Sequence, residues 1–227
     1  MATSSTTYPV NIRGDLSAPP ERGWWLIKWL LGIPHYVVLF FLFIAFVVVA
    51  FIAFWAILFT GKYPKSLFDF NVGVLRWAWR VAFYSYGALA TDKYPPFSLD
   101  PDPNYPADLE IPYPEKLSQG LVLVKWWLLA IPHYIIVSIF TSGPAWQMKG
   151  WDWTVNNQVH HMSGWQVSCG GLIFIVAIFA GIVVLFTGKY PKDFFKLAMG
   201  FNRWSIRVAA YATLMTDAYP PFRLWDD

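Results

Sequence analysis

The octapeptide LFTGKYPK occupies residues 58–65 and returns unchanged at residues 185–192. It is one of three motifs that occur in the same order in both halves of the chain. This shared order indicates that the two halves have the same architecture. Residues that match between the halves are therefore expected to serve the fold, and unmatched segments mark where the halves diverged. The other two motifs are IPHY, at 33–36 and 131–134, and TDxYPPF, at 91–97 and 216–222.

The composition is typical of an integral membrane protein. Of the 227 residues, 56% are hydrophobic and only 14% are charged, whereas soluble domains have about 25% charged residues. The net charge of +3 is small, and the chain contains no basic run of the kind that binds nucleic acid. The composition therefore predicts a lipid bilayer as the surroundings and excludes nucleic acid as a partner.

The repeats divide the chain into four segments. A polar, Pro-containing N-terminal segment covers 1–23, and the first membrane repeat covers 24–99. An acidic, Pro-rich connector at 100–120 precedes the second membrane repeat at 121–227, which carries a Trp-rich insert at 141–169. The predicted fold is an all-α integral membrane protein of two tandem repeats. Each repeat is a transmembrane helical hairpin plus an amphipathic helix, with short extended Pro-rich segments outside the membrane.

The first apolar run, from Trp24 to Phe59, contains 36 residues and only two side chains that can carry a charge near neutral pH, Lys28 and His35. One crossing needs about 20 residues. The run therefore predicts either a tight helical hairpin or one crossing, from Tyr36 onward, that follows an interfacial helix. The second repeat favours the hairpin because the insert splits its matching run, and a polar insert belongs at a hairpin tip outside the lipid.

A third helix is predicted in each repeat, at 67–90 and 193–215. Polar and small residues recur there every three or four positions, which places one polar stripe along each helix. Because an arginine at the bilayer centre costs about 2.5–3.5 kcal/mol, we expect these helices to lie in the interface, with arginines that bind anionic lipids. A spanning helix whose stripe faces the bundle, and pairing of the arginines with connector acids, are the alternatives. The arginines are Arg76, Arg80, Arg203 and Arg207.

Lysines flank both copies of the octapeptide, and the positive-inside rule places such turns in the cytoplasm. The same charges at the same place in both repeats imply an even number of crossings per repeat. We therefore expect a multi-pass protein with four crossings, cytoplasmic termini and an exoplasmic insert.

His35 and His133 follow the proline of each IPHY motif. A titratable group within a membrane segment is a candidate for function. Two histidines at matched depth could bind a haem or a quinone, or relay protons. The alternative is structural, since a proline frees a backbone carbonyl that neighbouring polar groups can satisfy.

The insert predicts a surface that packs on the membrane or docks a protein partner, because tryptophan is favoured in both settings. Its histidine pair lacks a third spaced ligand, so no metal site is predicted. No recognised catalytic motif occurs, and no catalytic residue is assigned. The tryptophans of the insert are Trp146, Trp151, Trp153 and Trp165.

Together with the NRWxxR run at 202–207, the three motifs resemble an uncharacterised bacterial family of tandem-repeat membrane proteins, known as a domain of unknown function. The resemblance covers about Tyr8 to Leu224. It implies a bacterial inner-membrane protein with two copies of the domain, and it brings no catalytic residues.

The favoured function is a non-enzymatic scaffold or accessory subunit of a larger membrane complex. A transporter or lipid-binding protein with a site between the repeats, and a bis-His haem or quinone protein, are the alternatives.

Overall fold

The structure is a computed structural model that describes residues 8–16, 20–155 and 158–225, with the backbone alone at 143–147 and 165–169. Helices dominate these ranges. In chain order they are a 3-10 turn (Trp24–Leu26), α1 (Lys28–Thr60), α2 (Lys65–Tyr84), α3 (Gln119–Val124), a π-helical segment (Lys125–Leu129), α4 (Ile131–Thr141), α5 (Leu172–Thr187) and α6 (Lys192–Ala212). The strands are β1 (Asn11–Gly14), β2 (Ala107–Glu110), β3 (Ser142–Met148), β4 (Trp151–Val155), β5 (Gln158–Met162) and β6 (Trp165–Gly170).

The helical hairpin predicted for the first repeat is wrong, because α1 runs unbroken through the expected turn at 41–45. No Gly, Pro or Asn stands there to end a helix, and Pro34 lies inside the helix near its start. Gly61 ends α1 with φ 69°, a left-handed conformation that glycine adopts without strain. With 33 residues, α1 is about 50 Å long.

In the second repeat, a β-hairpin interrupts the counterpart of α1. The interval from the IPHY histidine to the octapeptide glycine is 26 positions in the first repeat and 55 in the second. The difference, 29 residues, is the length of the segment from Ser142 to Gly170. Gly171 lies against the backbone of Phe140 and Thr141, so the chain returns to the point from which it left. The halves of the interrupted helix are therefore α4 and α5.

Strands correct the all-α prediction in two places. The insert pairs β3 with β6 and β4 with β5, both antiparallel, and its alternating Trp and β-branched residues suit a strand. The extended segments near the two Tyr-Pro pairs also pair with each other. There, β1 lies antiparallel to β2, with Asn11 opposite Glu110 and Gly14 opposite Ala107. This sheet ties the start of the chain to the connector.

The helix α2 lies at the centre of the fold, between α1 and the β1–β2 sheet. On one side Trp77 reaches His35 of α1, and on the other the Trp79 indole donates to the Arg13 carbonyl at 2.9 Å. Most of α2 is buried. The protein consequently has two unlike outer surfaces, one formed by the long apolar helices and one by the sheet and connector.

We call the outer surface of α1, α4 and α5 the apolar face. Large hydrophobic side chains are exposed along it, including Val47 (66%), Phe59 (74%) and Phe186 (77%). The opposite surface, formed by β1, β2 and the connector, is the polar face, where Asn11 and Glu110 are exposed. Within the described residues, α1 is long and apolar enough to cross a membrane. The segment from α3 to α4, bent by 47°, becomes a second candidate if it is counted as one helix.

Candidate functional site

Lys28 begins α1 and is fully buried. Its ammonium group donates to the carbonyl oxygen of Thr91 at 2.7 Å and lies 2.7 Å from Asp92 Oδ1. The Tyr84 ring faces the same nitrogen, with 5.0 Å from Nζ to the ring centroid. The second oxygen of Asp92 accepts from the backbone N–H of Glu21. The Thr-Asp pair of the TDxYPPF motif therefore neutralises a buried lysine.

About two turns further along the same side of α1, His35 is also fully buried. The indole N–H of Trp77 donates to His35 Nδ1 at 3.0 Å, so the neutral ring carries its proton on Nε2. The imidazole stacks on Phe97, with centroids 4.0 Å apart and planes at 15°. Tyr94 lies beside it, and the Tyr94 hydroxyl donates to the Leu31 carbonyl at 3.1 Å. The YPPF residues thus hold the helix near its proline.

The same contacts recur in the second repeat. Lys125 is buried 2.7 Å from Asp217 Oδ1, and the Trp204 indole donates to His133 Nδ1 at 3.0 Å. We call these two sets the first and second polar clusters. The first cluster comprises Lys28, His35, Trp77, Tyr84, Asp92, Tyr94 and Phe97. The second comprises Lys125, His133, Trp204, Tyr211, Asp217, Tyr219 and Phe222.

The segment from the cluster lysine to the IPHY proline is one residue longer in the second repeat than in the first. Six positions separate Lys28 from Pro34, and seven separate Lys125 from Pro132. The wider turn of the π-helical segment absorbs the additional residue. Lysine and histidine therefore keep equivalent partners in both repeats, although the helices that carry them differ.

The two histidines stand in separate clusters rather than together. In the part of the chain that the structure describes, no hydrogen bond or ring contact joins His35 to His133. Each ring is fully buried between an indole donor and a stacked phenylalanine. The arrangement holds the extended segments at 91–97 and 216–222 against the helices, and a cofactor or proton role for the histidines stays a prediction.

The arginine stripe of α2 faces the protein interior, so its expected orientation toward lipid headgroups is wrong. Arg76 Nε donates to the Leu109 carbonyl at 3.0 Å and lies 3.1 Å from Asp108 Oδ1. Arg80, fully buried, lies 3.3 Å from the same oxygen. Burial lowers the pKa of Arg80, and Asp108 opposes that shift. Asp108 therefore gives both guanidinium groups a charge partner within the protein.

The arginines of α6 differ from each other. Arg207 is buried, with its guanidinium carbon 5.2 Å from the centroid of the Tyr8 ring. Arg203 is half-buried and lines a surface cavity of about 390 Å³ together with Lys196 and Asn11. Lipid binding by either arginine stays a prediction.

The insert presents two unlike faces. Trp151 and Trp153 are exposed by 54% and 43% on one face of the β4–β5 pair. They share that face with His160, whose ring stacks on Trp153 with centroids 5.5 Å apart. On the other face, His161 contacts the Asp152 carboxylate. The side chains of the remaining predicted tryptophans, Trp146 and Trp165, lie outside the described part of the structure.

Four residues that anchor these contacts were not predicted from the sequence: Lys28, Lys125, Trp77 and Trp204. A signal was present for all four. A Lys-Trp pair precedes both IPHY motifs, and an Arg-Trp pair occurs in both stripes. Recurrence of a charged residue at a matched position in an apolar run is the pattern that identifies a buried ion pair.

One protein family matches both halves of the chain. The family described as Domain of unknown function (DUF4389) matches residues 23–98 and again residues 167–223. The chain belongs to this family. The second match begins in β6, after the hairpin tip, as expected if the hairpin splits a second copy of the domain. No curated protein and no solved structure matches the chain.

Proposed function

We propose that this protein is a non-enzymatic scaffold or accessory subunit of a bacterial inner-membrane complex. It embeds in lipid through its apolar face and offers the β-hairpin of the insert to a protein partner. The observation that carries the proposal is the size of the apolar face. An exposed apolar surface that runs the length of a helix of about 50 Å is a membrane or protein contact, since soluble monomers expose only small apolar patches.

The polar face argues for embedding by one side rather than for four crossings. Asp108 pairs with Arg76 and Arg80, which lie in the second half of α2 and not at its ends. The neighbouring Asn11 and Glu110 are exposed at that level. Four crossings would immerse these strands in hydrocarbon, where open sheet edges and exposed carboxylates are not tolerated.

The position of the hairpin supports the same orientation. It leaves the helix between Thr141 and Gly171, positions that correspond to Phe43 and Ile44 at the centre of α1. If that helix crossed the bilayer, the polar strands would emerge near the hydrocarbon centre. A helix that lies along one leaflet allows them to reach water.

The hairpin is the docking element because the first repeat has no counterpart for it. Its exposed Trp face combines large rigid side chains with a polar opposite face, a composition enriched in protein interfaces. The polar clusters, in contrast, are occupied in holding the fold. Their geometry supports neither a transporter nor a bis-His haem or quinone protein, whereas a cavity between the repeats favours a lipid site.

The orientation is tested with single cysteines placed at exposed positions in a Cys169→Ser background. The positions are Lys62 in the first octapeptide, Glu110 on the polar face and Thr154 in the hairpin. Embedding by one face predicts that a membrane-impermeant maleimide labels all three from the same side of the membrane. Labelling of Thr154 and Lys62 from opposite sides would instead establish crossing helices and refute the proposal.

Docking is tested by the size of the native complex after mild solubilisation of membranes from the source bacterium. We expect loss of the larger complex when Ser142–Gly170 is deleted and when Trp151 and Trp153 are both changed to alanine. A double change of Asp152 and Thr154, on the other face, serves as the matched control. A complex that survives the deletion would remove the hairpin from the proposal.

A further inference from the structure

In each repeat, the helix that ends in the octapeptide packs against the start of the other repeat. The same kind of junction therefore occurs twice. At the first junction, α5 meets Trp25 and Leu89. At the second, residues 50–54 of α1 line one cavity together with Trp126 and Leu214. Both leucines stand two positions before the Thr-Asp pair and have positive φ, 54° and 69°. The junctions therefore share their backbone path and differ in what fills them.

The first junction is filled. Trp25 and Leu89 pack so closely over Gly181 that an added Cβ would lie 3.1 Å and 3.0 Å from them. The Tyr86 hydroxyl donates to the Trp25 carbonyl at 2.9 Å and places its ring at the rim. Three aromatic or aliphatic side chains thus occupy the space between the repeats.

The second junction lacks two of these side chains. Val122 stands where the first junction has Trp25, three positions before the cluster lysine. The segment that follows the cluster tyrosine is two residues shorter, so nothing corresponds to Tyr86. Phe54 stands at the position that corresponds to Gly181 and lines a cavity of about 260 Å³ beside this shortened segment. Its lining residues are Ala50, Phe51, Phe54, Trp126, Ala212, Thr213 and Leu214.

The chemistry of this cavity suits a hydrocarbon. The one hydroxyl in the lining, that of Thr213, already donates to the Ala209 carbonyl at 2.7 Å. A water molecule needs two to four polar partners, whereas an apolar cavity stays dry or takes an apolar ligand. The lining residues Phe51 and Trp126 are 63% and 46% exposed, and Phe51 belongs to the apolar face. The mouth of the cavity therefore opens on the surface that we place in lipid.

We propose that the second junction binds one acyl chain of a membrane phospholipid, which takes the place of the missing Tyr side chain. This inference rests on the proposed embedding of the apolar face. The bound chain would seal the contact between the repeats at one end of the protein, as protein side chains do at the other.

The test is native mass spectrometry of protein reconstituted in vesicles of dioleoyl phosphatidylethanolamine and dioleoyl phosphatidylglycerol, then extracted in mild detergent. We expect one retained phospholipid on the wild type and its loss in Ala50→Phe, which fills the cavity. Val47→Phe adds the same ring one turn earlier, at a position 66% exposed, and should retain the lipid. Ala212→Phe is a second filling variant, and circular dichroism verifies the fold of each.

Vesicle flotation, measured in parallel, separates the two levels of the proposal. A wild type that floats but carries no phospholipid, or folded filling variants that both retain it, would overturn the acyl-chain site and leave the embedding intact. A wild type that does not float would overturn the embedding together with the site.

Discussion

The helix α1 and its counterpart in the second repeat follow the same path but are built differently. The first is a single helix of 33 residues. The second is assembled from α3, a π-helical segment, α4 and α5, with a 29-residue hairpin between the last two. Yet both carry a buried lysine and a buried histidine with equivalent partners. The polar clusters therefore depend on contacts across the fold and tolerate a break in the helix that bears them.

The largest expected effect comes from removing one carboxylate. Asp92→Ala and Asp217→Ala each leave a buried lysine without its charge partner, which costs about 3–5 kcal/mol. Because the Nζ to Oδ1 distance is 2.7 Å in both clusters, we expect equal losses of stability in detergent unfolding. The double variant Lys28→Met/Asp92→Ala should recover part of the loss. A large effect in one repeat alone would contradict the equivalence of the clusters.

The next largest loss of stability is expected from removing the indole N–H groups that donate to the two histidines. Trp77→Phe and Trp204→Phe keep an aromatic ring but remove the N–H that reaches histidine Nδ1, with an expected cost of about 1–2 kcal/mol each. A double-mutant cycle with His35→Phe isolates the hydrogen bond in the first cluster, and one with His133→Phe does so in the second. Coupling energies near zero in both cycles would show that packing alone holds the rings.

The octapeptide tyrosines predict a pH dependence. Burial raises the pKa of Tyr63 to about 12 and raises the pKa of Tyr190. An unfolded tyrosine ionises near pH 10, so the unfolded chain loses its proton first. The stability that each contributes is present below pH 10 and falls above it, toward pH 12 for Tyr63, by about 1 kcal/mol per pH unit.

Melting temperatures measured from pH 8 to pH 11 check this dependence. Tyr63→Phe and Tyr190→Phe should each make the decline above pH 10 shallower, and the double variant more so. An unchanged slope in both single variants would mean that these phenols are not the groups that titrate.

The smallest effect is expected from restoring the spacing of the first repeat. Deletion of Trp127, which is 48% exposed, should convert the π-helical segment to α-helix and change the unfolding free energy by less than about 1 kcal/mol. Helical geometry from a structure of the variant checks the conversion. Loss of the Lys125 to Asp217 ion pair in that structure would show that the π turn is needed for the second cluster.

Several features of the fold follow from short stretches of sequence. Gly61 and Gly188 end their helices with φ 69° at the glycine of each octapeptide, as local chemistry requires. The Tyr-Pro segments are extended, as proline favours. The absence of a helix breaker at 41–45 also explains the continuity of α1. The predicted hairpin failed because it relied on the length of one bilayer crossing and not on a residue that could end the helix.

The sequence by itself determined the duplicated motifs, the apolar composition, the helix ends and the place of the insert, because each depends on residues close in the chain. Only the tertiary structure decided that Lys28 meets Asp92, that Arg76 and Arg80 share Asp108, and that one junction stays open. These contacts join residues far apart in sequence. A buried charge is stable only where packing places its partner beside it. No local sequence pattern predicts where that partner lies.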